Sequence, residues 1–564
     1  MMMMKAVIVG GVAGGAGTAA RLRRNDENAQ IIMLEKGPYI SFANCGLPYY
    51  IGGLIEDRDE LELQTPESFN ARFNVDVRVL SEVTAVDTKA KAVTVKNHAS
   101  GEIYTENYDV LVLSPGARPI RPPISGADLD HVFTLRTIPD TEKIKEFIDI
   151  RQPKKAVVIG SGYIGVEMAE NLHLAGLQVA MVEAQNHVIG PLDYEMAALV
   201  HNEIRHNHVD LYLESKVVAI TSDSVTLEDG RKIEADLVLM SIGVQPETDF
   251  LKSSGIELGP RGELIVDDTM RTNVPDVYGL GDAAAVTNFV TGKQTLIPLA
   301  SPANKQARIT ADVICGKKAR YTGTQGTAIA RVFGLTVAMT GESETSLQRS
   351  GIAYRKSYTF SNSNAGYYPG GKTMAVKLLF ANDGRLLGAA IIGPKGVDKR
   401  MDVLATAIRA RMTVYDLQEL ELSYAPPFSS AKDPVNMAGY VAANILDGIA
   451  KPFYLEDLKS ITSGDLLLDV RTAGEFRAGH LPDAVNIPVD ELRCRLNELK
   501  QGQKIYIYCG IGLRGYVAQR ILAQKGYDSL NLSGGYTLWQ ASDRDRQAQA
   551  AAAAFQCSHC GQAK

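Results

Sequence analysis

Short β-branched hydrophobic runs that stop at glycines recur along this chain. KAVIV (residues 5–9) leads into GGVAGG and an alanine-rich stretch of helical spacing, and IIMLEK follows. The same order returns about 150 residues later as KKAVVIGSGYIG, a helical stretch ending LAG, and VAMVEA. Each copy predicts a parallel strand–glycine turn–helix–strand unit, because unbroken apolar runs suit strands buried on both faces. YDVLVLSPGARP and DLVLMSIGVQP predict two further buried strands, each closed by a glycine turn. From about Gly326 to Ile449 the alternating segments MAVKLLF and LLGAAIIG precede a helix around Asp402–Ala410, which predicts an α+β domain. Ile449–Ser460 reads as a linker, and residues 461–540 as a further small α/β unit. The Gln/Ala-rich tail from Gln547 reads as an extension without a core of its own.

At 564 residues the chain exceeds one hydrophobic core and predicts three or four domains. A net charge of −6 argues against a nucleic-acid partner, so any anion site must be a local cluster of Arg and Lys. No apolar run reaches the roughly 18–20 residues that span a bilayer, and the N-terminus lacks a cleavage site. The expected location is the cytoplasm, with no membrane partner. Six cysteines are too few for a secreted disulfide framework, and in a reducing compartment unusual cysteine contexts point to chemistry.

Gly160, Gly162 and Gly165 spell a full G-x-G-x-x-G between strand and helix, and Glu183 ends the next strand. A pyrophosphate would sit on the helix N-terminus, where free N–H groups and the dipole favour anions. Glu183 would accept hydrogen bonds from ribose hydroxyls. An acid there disfavours a 2′-phosphate, so NADH is expected over NADPH. In the first unit Gly10 and Gly15 hold the first and third positions, Val12 stands at the second, and Glu35 ends the following strand.

TNVPDVYGLGD resembles the second flavin signature of the pyridine nucleotide-disulfide reductase family. The resemblance implies FAD on the N-terminal unit and NAD(P)H on the inserted one. It also implies that Asp282 holds the ribitol chain, that Gly281 allows close backbone approach, and that Lys36, Ser114 and Gly116 lie near the flavin nucleotide.

The segment SFANCGLPYYIGG carries Cys45 and lacks the family's C-x4-C pair, since the next cysteine is Cys315. A single thiol beside a flavin can alternate between thiolate and a mixed disulfide with a small thiol, or a sulfenic acid. The alternative is a buried structural cysteine. With Tyr367-Tyr368-Pro369-Gly370 and Tyr424-Ala425-Pro426-Pro427-Phe428, this segment resembles coenzyme A-disulfide reductases over residues 4–447. That resemblance implies a homodimer in which Tyr367 and Tyr424 serve the Cys45 site across subunits as donors or acids. It implies coenzyme A held by Arg21, Arg24, Ser41, Asn44 and Arg72, with Asn304 and Arg308. Arg21 and Arg24 also stand three apart on one helix face, suited either to phosphates or to plain solvation. Phe428 departs from the usual Tyr. No His occurs between His208 and His480, where reductases of larger disulfides keep a general acid, so Tyr424 is the better candidate for that role. The first His is His98, well past the loop where related peroxidases and oxidases carry one.

LLLDVRTAGEFRAGHLPDAVNIP resembles the opening motif of rhodanese domains, with Asp469, Arg471, Glu475 and His480. IYIYCGIGLRGYVAQRILAQKGY resembles their active-site loop. Successive N–H groups at a helix N-terminus make an anion cradle, expected to lower the pKa of Cys509 and stabilise a persulfide. Arg514 adds positive charge. Cys557 and Cys560 suit either a metal or a dithiol, but only His559 stands near as a further ligand, so no metal is assigned.

The expected fold is α/β: two Rossmann-like dinucleotide-binding domains, an α+β dimerisation domain and a C-terminal rhodanese-like domain. Its divisions are residues 1–150 and 271–325 for FAD, 151–270 for NAD(P)H, 326–447 for dimerisation, a linker at 448–460, the rhodanese at 461–545 and the tail at 546–564. The expected activity is reduction by NAD(P)H and FAD of coenzyme A persulfide, coenzyme A disulfide or polysulfide through Cys45, with Cys509 carrying sulfane sulfur. A flavin oxidase consuming oxygen and a sulfur-trafficking protein remain as alternatives.

Overall fold

The computed structural model describes residues 3–560, with residues 553–560 as backbone. Contacts group the chain into two compact units, one running to Val182 with Lys216–Gly326, the other Glu183–Ser215 with the chain from Thr327 on.

The first unit holds β1 (Lys5–Val9), α1 (Ala13–Asn25), β2 (Gln30–Leu34), β3 (Asp76–Arg78), β4 (Val110–Leu113) and β5 (Val132–Phe133). It continues with β6 (Lys155–Ile159), α2 (Tyr163–Leu174), β7 (Gln178–Val182), β8 (Leu237–Met240), β9 (Val277–Gly279) and α3 (Ala300–Ile314). Five parallel strands form the first sheet in the order β9-β4-β1-β2-β3. Side chains of β1 alternate between two cores: Ala6 and Ile8 pack with α1 and α3, while Val7 and Val9 face the core that includes Val93 and Val95. Both faces are covered, so the run shows no polar alternation; each fully buried Val or Ile contributes roughly 1.5–3 kcal/mol. In the second sheet of this unit β7, β6, β8 and β5 run parallel in that order.

The second unit contains β10 (Ala328–Val332), β11 (Leu335–Gly341), β12 (Arg355–Asn362), β13 (Thr373–Phe380) and β14 (Leu386–Gly393). These form an antiparallel sheet in the order β10-β11-β14-β13-β12, with the helix Val397–Arg409 on β11 and β14. The α+β reading of this region holds.

The rhodanese-like part has β15 (Pro452–Phe453), β16 (Leu466–Asp469), β17 (Val485–Asn486), β18 (Ile505–Tyr508), α4 (Leu513–Gln524) and β19 (Ser529–Leu532). Its parallel sheet runs β15-β19-β18-β16-β17. The stretch read as a linker therefore supplies an edge strand. Tyr454 and Glu456 also bond the backbone carbonyl and ammonium of Lys356, the latter at 2.7 Å. Short apolar edge strands flanked by Pro and Gly look like linkers in sequence. The last helix starts at Gly535 and runs to Cys560, so the tail's backbone is helical as far as it is described; the side chains of Cys557, His559 and Cys560 lie outside the described residues.

Candidate functional site

The first glycine loop is shut from behind. Gly10 has φ 94°, and a Cβ there would lie 2.1 Å from the Ser114 carbonyl oxygen; at Gly15 it would lie 1.7 Å from that of Gly10. Only glycine fits either position. In front, α1 has no side-chain cap at Val12 and no acid in its first turn, which leaves its leading N–H groups to an anion. Glu35 is the loop's brace: its carboxylate accepts from the N–H groups of Gly11 (2.8 Å) and Gly37 (2.7 Å), and burial pushes its pKa up. Ser41, at φ 43°, donates its N–H to the Gly11 carbonyl at 2.9 Å.

The second loop repeats the geometry. A Cβ on Gly160 would meet the Ser241 carbonyl oxygen at 2.4 Å, and one on Gly165 that of Gly160 at 2.1 Å, whereas one on Gly162 meets nothing within 4 Å. Both loops, closed behind and open in front, fit a dinucleotide. Glu183 directly follows β7, and its carboxylate accepts from the Gln185 N–H at 2.8 Å.

Around the first loop the acid of the flavin signature is already paired: Asp282 accepts from Arg136 at 2.6 Å. Lys36 pairs with Glu247, whose N–H donates to the Gly116 carbonyl at 3.1 Å. Cys45 sits on the turn Asn44–Gly46, ahead of the short helix Leu47–Ile51, its Sγ 3.7 Å from the Asn44 Oδ1. The side chain reaches solvent, yet desolvation pushes its pKa up. Glu167 and Asp282 add to the rise, while Arg136 opposes it. Cys45 and Asp282 thus share one electrostatic neighbourhood. Glu167, on α2, accepts from the Tyr49 hydroxyl at 3.2 Å, and burial pushes it up to about 7. Arg136, Glu167 and Tyr49 were missed by sequence reasoning. The one available signal was Gly52, whose Cβ would lie 2.2 Å from Asn171 and which lets the Cys45 segment lie against α2.

The residues read as coenzyme A ligands divide. α1 lies along α3, where a Cβ on Gly17 would stand 3.1 Å from that of Ala307 and 3.7 Å from the Asn304 Oδ1. This contact gathers Arg21, Asn304 and Arg308 on one pair of helices, with Arg24 exposed at the end of α1. Arg21 has an internal partner that the sequence reading lacked: its guanidinium forks onto Asp312 at 2.8 and 3.0 Å. Arg72 is exposed on the helix Pro66–Phe73.

In the second unit the phenols of Tyr367 and Tyr424 bond each other at 3.0 Å, and that bond raises the pKa of Tyr367. The two rings are 77% and 48% exposed, and Phe428 70%, an apolar patch standing in solvent. Arg400, absent from the sequence reading, pins the patch from beneath. It is buried, paired with Asp433 at 2.9 Å, and donates to the carbonyls of Ser363 (3.1 Å) and Phe428 (3.3 Å).

Cys509 directly follows β18, buried, and its Sγ accepts from the Gly512 N–H at 3.1 Å. The last helix braces the loop from the far side: the N–H groups of Tyr536 and Thr537 reach the carbonyls of Cys509 (2.8 Å) and Gly510 (2.9 Å). Arg514 faces Cys509 and is held by Glu475. Asp469, the last residue of β16, and Arg471 form a buried pair at 2.7 Å, with Arg471 over the Tyr536 ring. His480 stacks on Phe476 with centroids 3.9 Å apart.

Two glycine-loop sheets, a lone thiol sharing charges with the flavin-signature acid, and an added loop with a buried cysteine define a nucleotide-dependent sulfur oxidoreductase fused to a sulfurtransferase-type module. The chain belongs to the pyridine nucleotide-disulphide oxidoreductase family, whose model matches residues 4–307. The family's dimerisation domain matches residues 327–434, and a rhodanese-like domain residues 454–542. A protein of Staphylococcus haemolyticus named coenzyme A disulfide reductase is 37% identical over 445 residues, 78% of this chain and 100% of that protein. The solved structure of reduced Bacillus anthracis CoADR-RHD superposes with a TM-score of 0.95 at 49% identity, covering 97% of this chain and 99% of that one. A NAD-dependent persulfide reductase from A. fulgidus superposes at 0.90 with 36% identity, covering 95% and 100%. The family resemblance and the fold class read from sequence are borne out. No helix among the described residues is long and apolar enough to cross a membrane.

Proposed function

We propose that this chain is a flavin-dependent reductase that uses NAD(P)H to reduce coenzyme A persulfide, coenzyme A disulfide or polysulfide through Cys45, while Cys509 carries sulfane sulfur. The observation that carries the reading is the shared neighbourhood of Cys45, Arg136 and Asp282, which joins a lone thiol to the flavin-signature acid. The names of the relatives agree: a coenzyme A disulfide reductase and a persulfide reductase, the latter matching across the rhodanese-like part as well.

In this reading the Cys45 thiolate attacks one sulfur of the bound substrate. With either coenzyme A substrate a mixed disulfide with coenzyme A forms, the substrate S–S bond breaks, and the departing sulfur leaves as a thiolate or hydrosulfide. Tyr424, bonded to Tyr367, meets that leaving sulfur from the second copy of a homodimer. Gly10, Gly15, Glu35, Lys36, Ser114, Gly116 and Asp282 would hold FAD, which would supply the two electrons from the nicotinamide that split the mixed disulfide into the Cys45 thiolate and coenzyme A thiolate. Gly160, Gly162, Gly165 and Glu183 hold the nicotinamide nucleotide, with Glu183 favouring NADH. Ser41, Asn44, Arg21, Arg24, Arg72, Asn304 and Arg308 receive coenzyme A, and Arg21 must then share its guanidinium with Asp312. Arg514 steadies the sulfur anion on Cys509. The enzyme works in the cytoplasm.

The deciding experiment follows NADH consumption by the holoenzyme with coenzyme A persulfide or disulfide, together with mass spectrometry of Cys45. A coenzyme A adduct on Cys45 and loss of turnover in Cys45→Ser are expected. Sulfur-dependent turnover surviving in Cys45→Ser would overturn the reading.

A further inference from the structure

The loop CGIGLR that follows β18 has a single charged residue, Arg514. Its guanidinium forks onto Glu475 through two bonds of 2.7 and 2.6 Å. A Cβ built on Gly510 would lie 3.5 Å from the same guanidinium, so Arg514 lies against the loop's second residue, where no side chain competes. Glu475 is itself tethered. Its Oε2 accepts from the Thr472 N–H (3.0 Å) and hydroxyl (2.9 Å), the reciprocal cap of the helix Ala473–Arg477. Around the mouth stand Ile511, Leu513 and Val517, 41%, 59% and 39% exposed. The mouth therefore offers an N–H cradle, a cation already matched by a carboxylate, and an apolar rim.

That combination sorts sulfur donors by charge. A doubly charged inorganic donor such as thiosulfate approaches a guanidinium that is neutralised, with a fixed carboxylate facing it and apolar groups that hydrate it poorly. The sulfane group of an organic persulfide carries at most one negative charge, and the carbon joined to it sets against the rim, with any further charges of the donor lying away from the reacting sulfur. We propose that Glu475 is a specificity-determining residue of the Cys509 site, selecting organic persulfides, whose reacting sulfur group is at most singly charged, over thiosulfate as the source of sulfane sulfur. This rests on the reading of Cys509 as a sulfur carrier. In the step, the Cys509 thiolate bonds the outer sulfur of R–S–SH, the donor S–S bond breaks, and the electron pair leaves on R–S⁻. Cys509 becomes the persulfide and no external oxidant is consumed. With thiosulfate the leaving group is sulfite.

The test uses the full-length holoenzyme with cyanide as sulfur acceptor and compares kcat/KM for thiosulfate and for glutathione persulfide. Glu475→Gln keeps both capping bonds and removes the charge. It should raise the thiosulfate-to-persulfide ratio about tenfold, mainly through a lower KM for thiosulfate. Glu475→Asp, which keeps the charge, should stay near the wild-type ratio. The double variant Glu475→Gln/Arg514→Gln should lose the gain, because the freed cation is what thiosulfate uses. An unchanged ratio in Glu475→Gln, or an equal rise in the Asp variant, overturns the proposal. Transfer persisting in Cys509→Ser would instead sink the carrier reading itself, and the two failures are told apart in one assay.

Discussion

In the proposed reading, the two sulfur sites solve opposite problems. Cys509 lies in a finished cradle: its sulfur already accepts an N–H at 3.1 Å, its loop is braced by the last helix, and its cation is in place. Cys45 stands on a short exposed turn where desolvation and the Glu167 and Asp282 carboxylates push its pKa up, the reverse of what a nucleophile needs. A sulfur carrier that must hold a persulfide between partners benefits from a cradle that is always built. A redox thiol that acts only with its nucleotides in place can leave its activation to them, and the unfavourable charges hold it quiet otherwise. The contrast teaches that resting reactivity tracks role: storage is preformed, turnover is conditional.

The strongest way to break this contrast is to remove one sulfur at a time. Cys45→Ser should abolish sulfur-dependent NADH consumption, a loss of roughly 10³-fold or more. It should leave transfer from persulfide to cyanide within about twofold of wild type. Cys509→Ser should do the converse. Parallel loss of both activities in either variant would show one shared site in place of two.

The contrast also predicts where glycines are structural and where they serve a ligand. Gly535 has φ 60°, and a Cβ there would lie 2.6 Å from the Cys509 carbonyl oxygen. Gly535→Ala should cost about 2–3 kcal/mol and lower both the melting temperature and persulfide loading of Cys509. Gly162 has φ −66° and open space where a Cβ would go. Gly162→Ala should therefore stay within about 0.5 kcal/mol of wild-type stability while raising the KM for NADH severalfold, as a methyl group meets the nucleotide. Calorimetry and an NADH titration separate the two outcomes. A destabilised Gly162→Ala would mean that the loop is built for packing.

The strands, both glycine loops and both cysteines were legible because each is local: a β-branched run, a turn that only glycine allows, a thiol at a helix start. What escaped the sequence depends on distant residues meeting. Arg136 and Asp282 stand 146 positions apart, and Arg21 and Asp312 stand 291 apart. Nothing in Tyr49 or Glu167 announces that α2 delivers a carboxylate to the Cys45 turn. Lys377 sits in the run MAVKLLF as an apparent surface residue, yet it is buried and takes Asp193 and Glu195 at 2.6 and 2.5 Å, with Glu344 beside them. Those acids come from two other segments, so period and composition could not foretell the pairing. The edge strand inside residues 448–460 escaped for the same reason: it is recognised by its neighbour, which lies some eighty positions on.

The mildest test sharpens the contrast through Glu167. Burial lifts this carboxyl to about 7, so it is largely neutral at pH 5.5 and largely charged at pH 8. Its charged form disfavours the Cys45 thiolate, and the sign follows directly. Glu167→Gln removes a negative charge that exists only above neutrality, so the thiol of the variant should titrate at lower pH than that of the wild type. Alkylation of Cys45 by iodoacetamide should then run about two- to fivefold faster in the variant at pH 8 and at the same rate per thiolate at pH 5.5. Cys509, which has no such carboxylate switch in its cradle, should alkylate identically in both proteins. A Cys45 profile that does not move would mean that solvent screens Glu167 from the sulfur, and the quieting of the redox thiol would then rest on desolvation alone.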